Sequence, residues 1–160
     1  MPTNFERMIQ LADEVFDVKH DPSQIAVNEE VLDRLRALHP YAIRESKNKD
    51  GPIAWILVIP TTSEVMKGFL DGSLFEKDIL EKTQPGLVFS AIYLCSALVL
   101  PERQGKGIAI KLTLEAVDNI RKDHPIAALY CWPFSDKGER LAKKVAELCR
   151  LPLQIRPRQR

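Results

Sequence analysis

Leu87-Val88-Phe89-Ser90-Ala91-Ile92-Tyr93-Leu94-Cys95-Ser96-Ala97-Leu98-Val99-Leu100-Pro101-Glu102-Arg103-Gln104-Gly105-Lys106-Gly107-Ile108-Ala109 decides how the chain folds. Residues 87–100 are apolar on both alternating faces, the pattern of a strand covered by helices on either side, and they predict the central strand of a sheet. Pro101 ends it. Two glycines then let the backbone turn tightly and approach a ligand. Residues 107–122, with Ile110, Leu114, Val117 and Ile120 at helical spacing, predict an amphipathic helix whose first N–H groups have no internal acceptor. An anion suits that helix start, and Arg103 and Lys106 put positive charge beside it.

Moving outward, residues 126–132 predict a further strand. Residues 136–149 predict a helix burying Leu141, Ala142, Val145, Leu148 and Cys149, and the tail has room for one short strand before Pro157. Upstream, residues 41–47 and 53–59 flank the turn signal Asn48-Lys49-Asp50-Gly51 and predict an antiparallel hairpin. The chain begins with a helix over residues 3–17, carrying Phe5, Met8, Ile9, Ala12, Val15 and Phe16 on one face and Thr3-x-x-Glu6 as a capping box. Asn28 caps a second helix, with Val31, Leu32, Leu35 and Leu38 as its stripe, ending before Pro40. Between residues 61 and 82 lie two short amphipathic pieces, opened by Thr61-x-x-Glu64 and Ser73-x-x-Glu76 as capping boxes. The expected fold is α/β (α+β), a central mixed sheet flanked by helices, with residues 1–160 as a single domain.

The 160 residues carry 23 Lys and Arg against 22 Asp and Glu, so no overall field points to nucleic acid or a membrane surface. Glu6, Arg7, Asp13, Glu14, Asp17 and Lys19 exclude the apolar core of a signal peptide, and no run nears the ~18 apolar residues of a membrane span. A cytoplasmic protein is expected. Cys95, Cys131 and Cys149 lack the spacings of a zinc site or disulfide framework and read as small buried hydrophobes. His20, His39 and His124 sit at element ends, read as solvated turn residues with no two together. No metal site is expected.

The common nucleotide loops fail on spacing. A dinucleotide fingerprint starting at Gly105 needs a glycine where Ile110 stands, and no Gly-Lys-Ser or Gly-Lys-Thr forms a P-loop. Gln104-x-x-Gly107-x-Ala109, set between a buried strand and an amphipathic helix, instead resembles motif A of the Gcn5-related N-acetyltransferase family. The resemblance covers residues 41–149, with residues 91–117 its specific part. It implies acetyl-CoA as cosubstrate and transfer of the acetyl group to an amine of a small molecule or peptide, by direct attack in a ternary complex. It also implies that the central strand splays from the next one to admit the pantetheine arm. Ala97, Leu98, Val99 and Leu100 then hold pantetheine and the acetyl carbonyl, while Arg103, Gln104, Gly105, Lys106, Gly107, Ile108 and Ala109 hold the diphosphate. Ser135, at the start of the last helix, either bonds the pantetheine or simply caps that helix.

The chain departs from the family in several places. Tyr93 stands where many histone-acetylating members have a glutamate, and Ala142 where members often carry a tyrosine acid. Tyr93 and Ser96 are the catalytic candidates, with Cys95 and Ser96 expected on opposite strand faces. Tyr93 has two readings, a hydroxyl that orders a water and a packing ring. Tyr130 and Trp132 read as core or as lining of the acceptor side. The family usually opens with a strand, ends with a further pair and joins its third and fourth strands by a short turn. Here a helix opens the chain, and the third-to-fourth connection is a helical insertion, read as a surface elaboration or as a lid. A trimmed sheet edge offers a surface for a homodimer. Two rivals to the enzyme stand: a non-catalytic CoA-binding or regulatory module, and an interaction domain without ligand.

Overall fold

Asn48 begins the first tight turn, its side-chain Oδ1 accepting the Asp50 N–H at 2.8 Å while Gly51 takes the positive φ (+115°) that closes it. That turn joins β1 (Ile43–Asn48) to β2 (Gly51–Thr61) as the antiparallel hairpin expected. The computed structural model of the chain describes residues 2–15, 28–133 and 135–157. Around the hairpin are α1 (Asn4–Val15), α2 (Glu29–Leu38), α3 (Ser63–Leu70), α4 (Glu76–Glu81), β3 (Ala91–Val99), α5 (Ile108–Asp123), β4 (Ala128–Cys131), α6 (Asp136–Cys149) and β5 (Leu153–Ile155). The five strands form one mixed sheet in the order β1-β2-β3-β4-β5, antiparallel as far as β3 and parallel beyond it. The quoted stretch thus supplies the central strand. Helices cover the sheet, and α3 and α4 form the helical insertion.

Register shows which helices cover which face. Tyr93 lies opposite Ile59, and Trp55 opposite Leu98 and Glu45, so these side chains share one face, where the Trp55 indole N–H donates to Glu45 at 2.6 Å. Met8 of α1 packs there with Ile53, Leu98 and Leu100. Phe69 of α3 meets the Tyr93 ring on the same face at 5.2 Å. Arg44, one residue out of phase, points to the other face and pairs with Glu115 of α5 at 2.8 Å. α6 lies beside α5, where Arg121 donates to the Cys149 carbonyl at 3.0 Å.

Several local expectations move. Leu87 and Val88 are exposed, Val88 at 70%, and β3 begins only at Ala91, because the chain before it runs outside the sheet. Thr62 rather than Thr61 caps α3, accepting the Val65 N–H at 3.3 Å; Thr61 is buried and bonds Thr83. Helix α4 starts at Glu76, with the Asp78 carboxylate accepting the Phe75 N–H, so Ser73-x-x-Glu76 is no capping box. The Thr3 hydroxyl accepts the Glu6 N–H and donates to the Glu6 carboxylate. On α1, Met8 is buried whereas Phe5 and Ile9 are exposed; Phe16 and the Val15 side chain lie outside the described residues, as does His20. Leu148 is exposed, since α6 turns its Ala142, Val145, Ala146 and Cys149 face inward.

The insertion is no surface elaboration. Val65, Phe69, Ile79 and Leu80 are buried in the same apolar cluster as Leu35 of α2, Val117 of α5 and Val145 of α6. Nor are His39 and His124 solvated and apart. His39 is buried at the end of α2, its Nε2 2.7 Å from Asp123 Oδ2 and its Nδ1 accepting the Tyr41 N–H. His124 ends α5 and accepts the Phe89 N–H, and the two rings stand 6.1 Å apart because both helices finish at the same corner. Burial, and then the neighbouring His39, lower the His124 pKa. Cys131 and Cys149 are buried free thiols, as read.

Candidate functional site

β3 and β4 pair in parallel only at Ala91 with Ala128, Ile92 with Leu129 and Tyr93 with Tyr130, yet β3 runs on to Val99. Past that last pair the two strands part. On its other edge β3 stays bonded to β2, with a register shift that places Ser96 opposite Leu57 and Leu94 opposite Val58, leaving Cys95 as an extra residue. A bulge of this kind bends a strand and increases its twist, which accounts for the divergence. It also overturns the expected alternation. Ile59 and Leu57 share a face, so their partners Tyr93 and Ser96 do too, although three residues separate them along β3. Residues 91–93 are buried, residues 94–97 half-buried and Leu98 buried again, so β3 is most open where it has left β4.

Beyond β3, Pro101–Arg103 makes a short 3-10 turn, and Gly105 and Gly107 follow with φ of +78° and +79°. A Cβ at either glycine would meet nothing within 4 Å. Left-handed backbone, not crowding, therefore calls for glycine here, and the space beside it is clear. Gly107 is the N-cap of α5 and offers no side chain; the first helical bond runs from the Lys111 N–H to its carbonyl. The N–H groups of Ile108, Ala109 and Ile110 thus open the helix without intrahelical acceptors. Lys106 is exposed beside them and Arg103 half-buried.

Two contacts brace this loop. The Gln104 amide donates to the Val99 carbonyl at 3.0 Å and accepts from Lys137 of α6 at 2.8 Å, linking strand end, loop and last helix. Arg7 of α1 grips Glu102 with both guanidinium nitrogens at 2.7 and 2.6 Å, a bidentate pair that holds the Glu102 carboxyl down at about 2. Ser135 caps α6, accepting the Gly138 N–H at 3.0 Å. Residues 97–100 and 103–109 therefore form one continuous path from the parting strands to the helix start, and Ser135 lies two residues from the lysine that reaches Gln104.

Tyr93 sits at the apex of the fork. Its hydroxyl donates to Glu76 Oε2 at 2.5 Å, and Glu76, on α4, is only 1% exposed. Ser96 Oγ and Tyr130 OH are buried on the two diverging strands with no hydrogen-bond partner. Burial, and then the Glu76 charge, push the Tyr93 and Cys95 pKa values well above their usual range; burial, and then Cys95, do the same for Tyr130. At neutral pH both phenols keep their protons and Cys95 remains a thiol. Ala142 is buried on α6, and Trp132 is core with its indole N–H donating to Pro157 O.

Sequence reasoning missed Glu76, taking it for a cap. The signal was its spacing: Glu76, Ile79, Leu80 and Thr83 recur on one helical face, and all four are buried. Tyr130 was read only as core or wall, since nothing in a single strand shows that its hydroxyl is unpartnered.

No family model matches the sequence, and no curated protein is significantly similar to it. Among the solved structures that resemble the chain loosely is the crystal structure of a GNAT family acetyltransferase from Brucella melitensis in complex with acetyl-CoA, 18% identical, over 84% of this chain and 70% of that one, at a TM-score of 0.43. Among the described residues no group of three or more His, Cys, Asp or Glu could hold a metal, and no helix is long and apolar enough to cross a membrane.

Proposed function

We propose that the chain is an acetyl-CoA-dependent N-acetyltransferase, moving the acetyl group to an amine of a small molecule or peptide. The observation that carries this reading is the fork between β3 and β4 leading directly into the left-handed glycine loop at the start of α5. A strand edge released from its neighbour offers backbone N–H and C=O groups to an amide-bearing arm such as pantetheine, along Ala97, Leu98, Val99 and Leu100. The loop and helix start, Gln104 to Ala109 with Arg103 and Lys106, offer N–H groups and positive charge to a diphosphate. An amide-rich arm ending in a diphosphate is the chemistry of CoA.

Transfer requires a neutral amine. A lysine-like amine with pKa ≈ 10.4 is neutral in only about one molecule in 2,500 at pH 7, roughly 4.6 kcal/mol uphill, so a proton has to be accepted nearby. The amine nitrogen then attacks the thioester carbon, backbone N–H groups near the bulge stabilise the oxyanion, and the C–S bond breaks as the thiolate leaves. Direct attack is favoured over an acyl-enzyme because Cys95, the thiol at the fork, is held protonated by burial and is a poor nucleophile. A hydroxyl donor for the acyl group is at hand in Ser96 or Tyr130, whose oxygens lack partners.

The second reading is a CoA-binding module without turnover, favoured by Ala142 at the family's acid position. Free-thiol release from acetyl-CoA, measured against a panel of polyamines, amino acids and peptides, separates the two. Amine-dependent release supports the transferase. Binding of acetyl-CoA without release for any acceptor identifies the module, and no binding at millimolar ligand removes both.

A further inference from the structure

The loop that opens α5 carries one negative charge. Residues 101–111 hold Arg103, Lys106 and Lys111 against a single carboxylate, Glu102, and the first turn of α5 has no acid. A carboxylate there opposes any anion drawn to the helix start. Glu102 is also the group that α1 reaches. This amphipathic helix lays its apolar side on β2 and β3, with Met8 packed among Ile53, Leu98 and Leu100 and Phe5 edge-on to Trp55 at 6.0 Å. Leu98 and Leu100 lead directly into the loop, so Arg7, next to Met8, lands on Glu102 and donates to both carboxylate oxygens. Both side chains remain partly exposed, at 34% and 50%, so the contact serves no buried core.

We infer that Arg7 sets cofactor affinity without touching the cofactor: by neutralising Glu102 it keeps the loop cationic enough to take the CoA diphosphate, so that docking of α1 completes the site. This rests on the proposed CoA binding. The distances allow it. Five residues separate Glu102 from Gly107, at most about 17 Å of extended backbone, and a 3-10 turn and two left-handed glycines shorten that stretch. At 10 mM salt the Debye length is about 30 Å, so a bare Glu102 carboxylate acts across the whole loop. Paired with a guanidinium it becomes a short dipole, whose field falls off much faster. Protonation cannot replace the pairing at neutral pH, where a carboxylate is ionised with or without Arg7. Arg103 and Lys106 are then left to act on the anion with no opposing charge in the loop.

Calorimetry of the full chain with acetyl-CoA at about 10 mM salt reads the effect, and three variants separate charge from mechanical bracing. Arg7→Met keeps a good helix former but bares Glu102, and is expected to weaken binding about threefold or more. Glu102→Gln leaves Arg7 unopposed and should bind more tightly than the wild type. Arg7→Met combined with Glu102→Gln has no ion pair, yet should return close to wild-type affinity because its net charge is again that of the pair. A brace predicts the reverse for these last two, since both lack it. The Arg7→Met deficit should also narrow at 0.15 M salt, where the Debye length is about 8 Å. Weaker binding by Glu102→Gln, a double variant as weak as Arg7→Met, or wild-type affinity in Arg7→Met overturns the inference. If Arg7→Met does not fold, Glu102→Gln decides alone, because an unopposed Arg7 tightens binding whereas a lost brace weakens it. Failure of the CoA reading looks different, since the wild-type protein itself then binds no acetyl-CoA at millimolar ligand.

Discussion

Gly107→Asp should abolish measurable acetyl-CoA binding, whereas Gly107→Asn should retain most of it. Both replacements meet the same backbone, with φ at +79°, and Asn and Asp are the side chains that tolerate left-handed backbone best. Both also meet the same space, because a Cβ at residue 107 touches nothing within 4 Å. Both strain that left-handed backbone alike, so loss of fold does not explain a difference between them. What remains is one negative charge at the helix start. Two like charges about 4 Å apart repel by roughly 4 kcal/mol at the effective dielectric of a protein surface, close to a thousandfold in affinity. Calorimetry with acetyl-CoA measures it. Equal affinity for the two variants would place the diphosphate elsewhere.

The largest stability effect is expected at Phe69. Its ring is fully buried, 5.2 Å from Tyr93, 5.9 Å from Tyr130 and 6.0 Å from Trp132, with Arg156 stacked on it. Phe69→Ala leaves a cavity at the contact between insertion and sheet, costing about 3–5 kcal/mol. For a domain of this size that lowers Tm by roughly 10 °C or more. A thermal melt lying within about two degrees of the wild type, under 1 kcal/mol by the same scaling, would show that the insertion does not anchor to the core through this ring.

Periodicity and turn chemistry carried most of the architecture. The hairpin, the central strand, the helix behind the glycine loop and the bounds of α6 all follow from local pattern, because each has one apolar face or one turn residue that only that structure satisfies. The glycine loop was legible for the same reason, since two glycines beside Lys106 serve neither helix nor strand. Glu76 was not, because its role depends on α4 landing on Tyr93, a contact between residues 17 apart that no local pattern encodes. The cap shifts from Thr61 to Thr62 and from Ser73 to Phe75 share that cause. Thr61 was drawn into the core by Thr83, and Glu76 by Tyr93. His39 and His124 looked solvated because an element end is usually exposed, yet α2 and α5 end against each other. The bulge at Cys95 was hidden as well. It shows only as a change of register with β2, and it is what turns Ser96 to the side of Tyr93.

The central claim is that CoA lies along the released edge of β3 with its diphosphate on the loop that opens α5. Backbone amide NMR during titration with acetyl-CoA addresses it most directly. The largest shifts are expected at Gly105, Lys106, Gly107, Ile108 and Ala109, with a second set along Ala97, Leu98 and Val99. Saturable binding that leaves these amides unmoved, or no saturation at millimolar ligand, would contradict it.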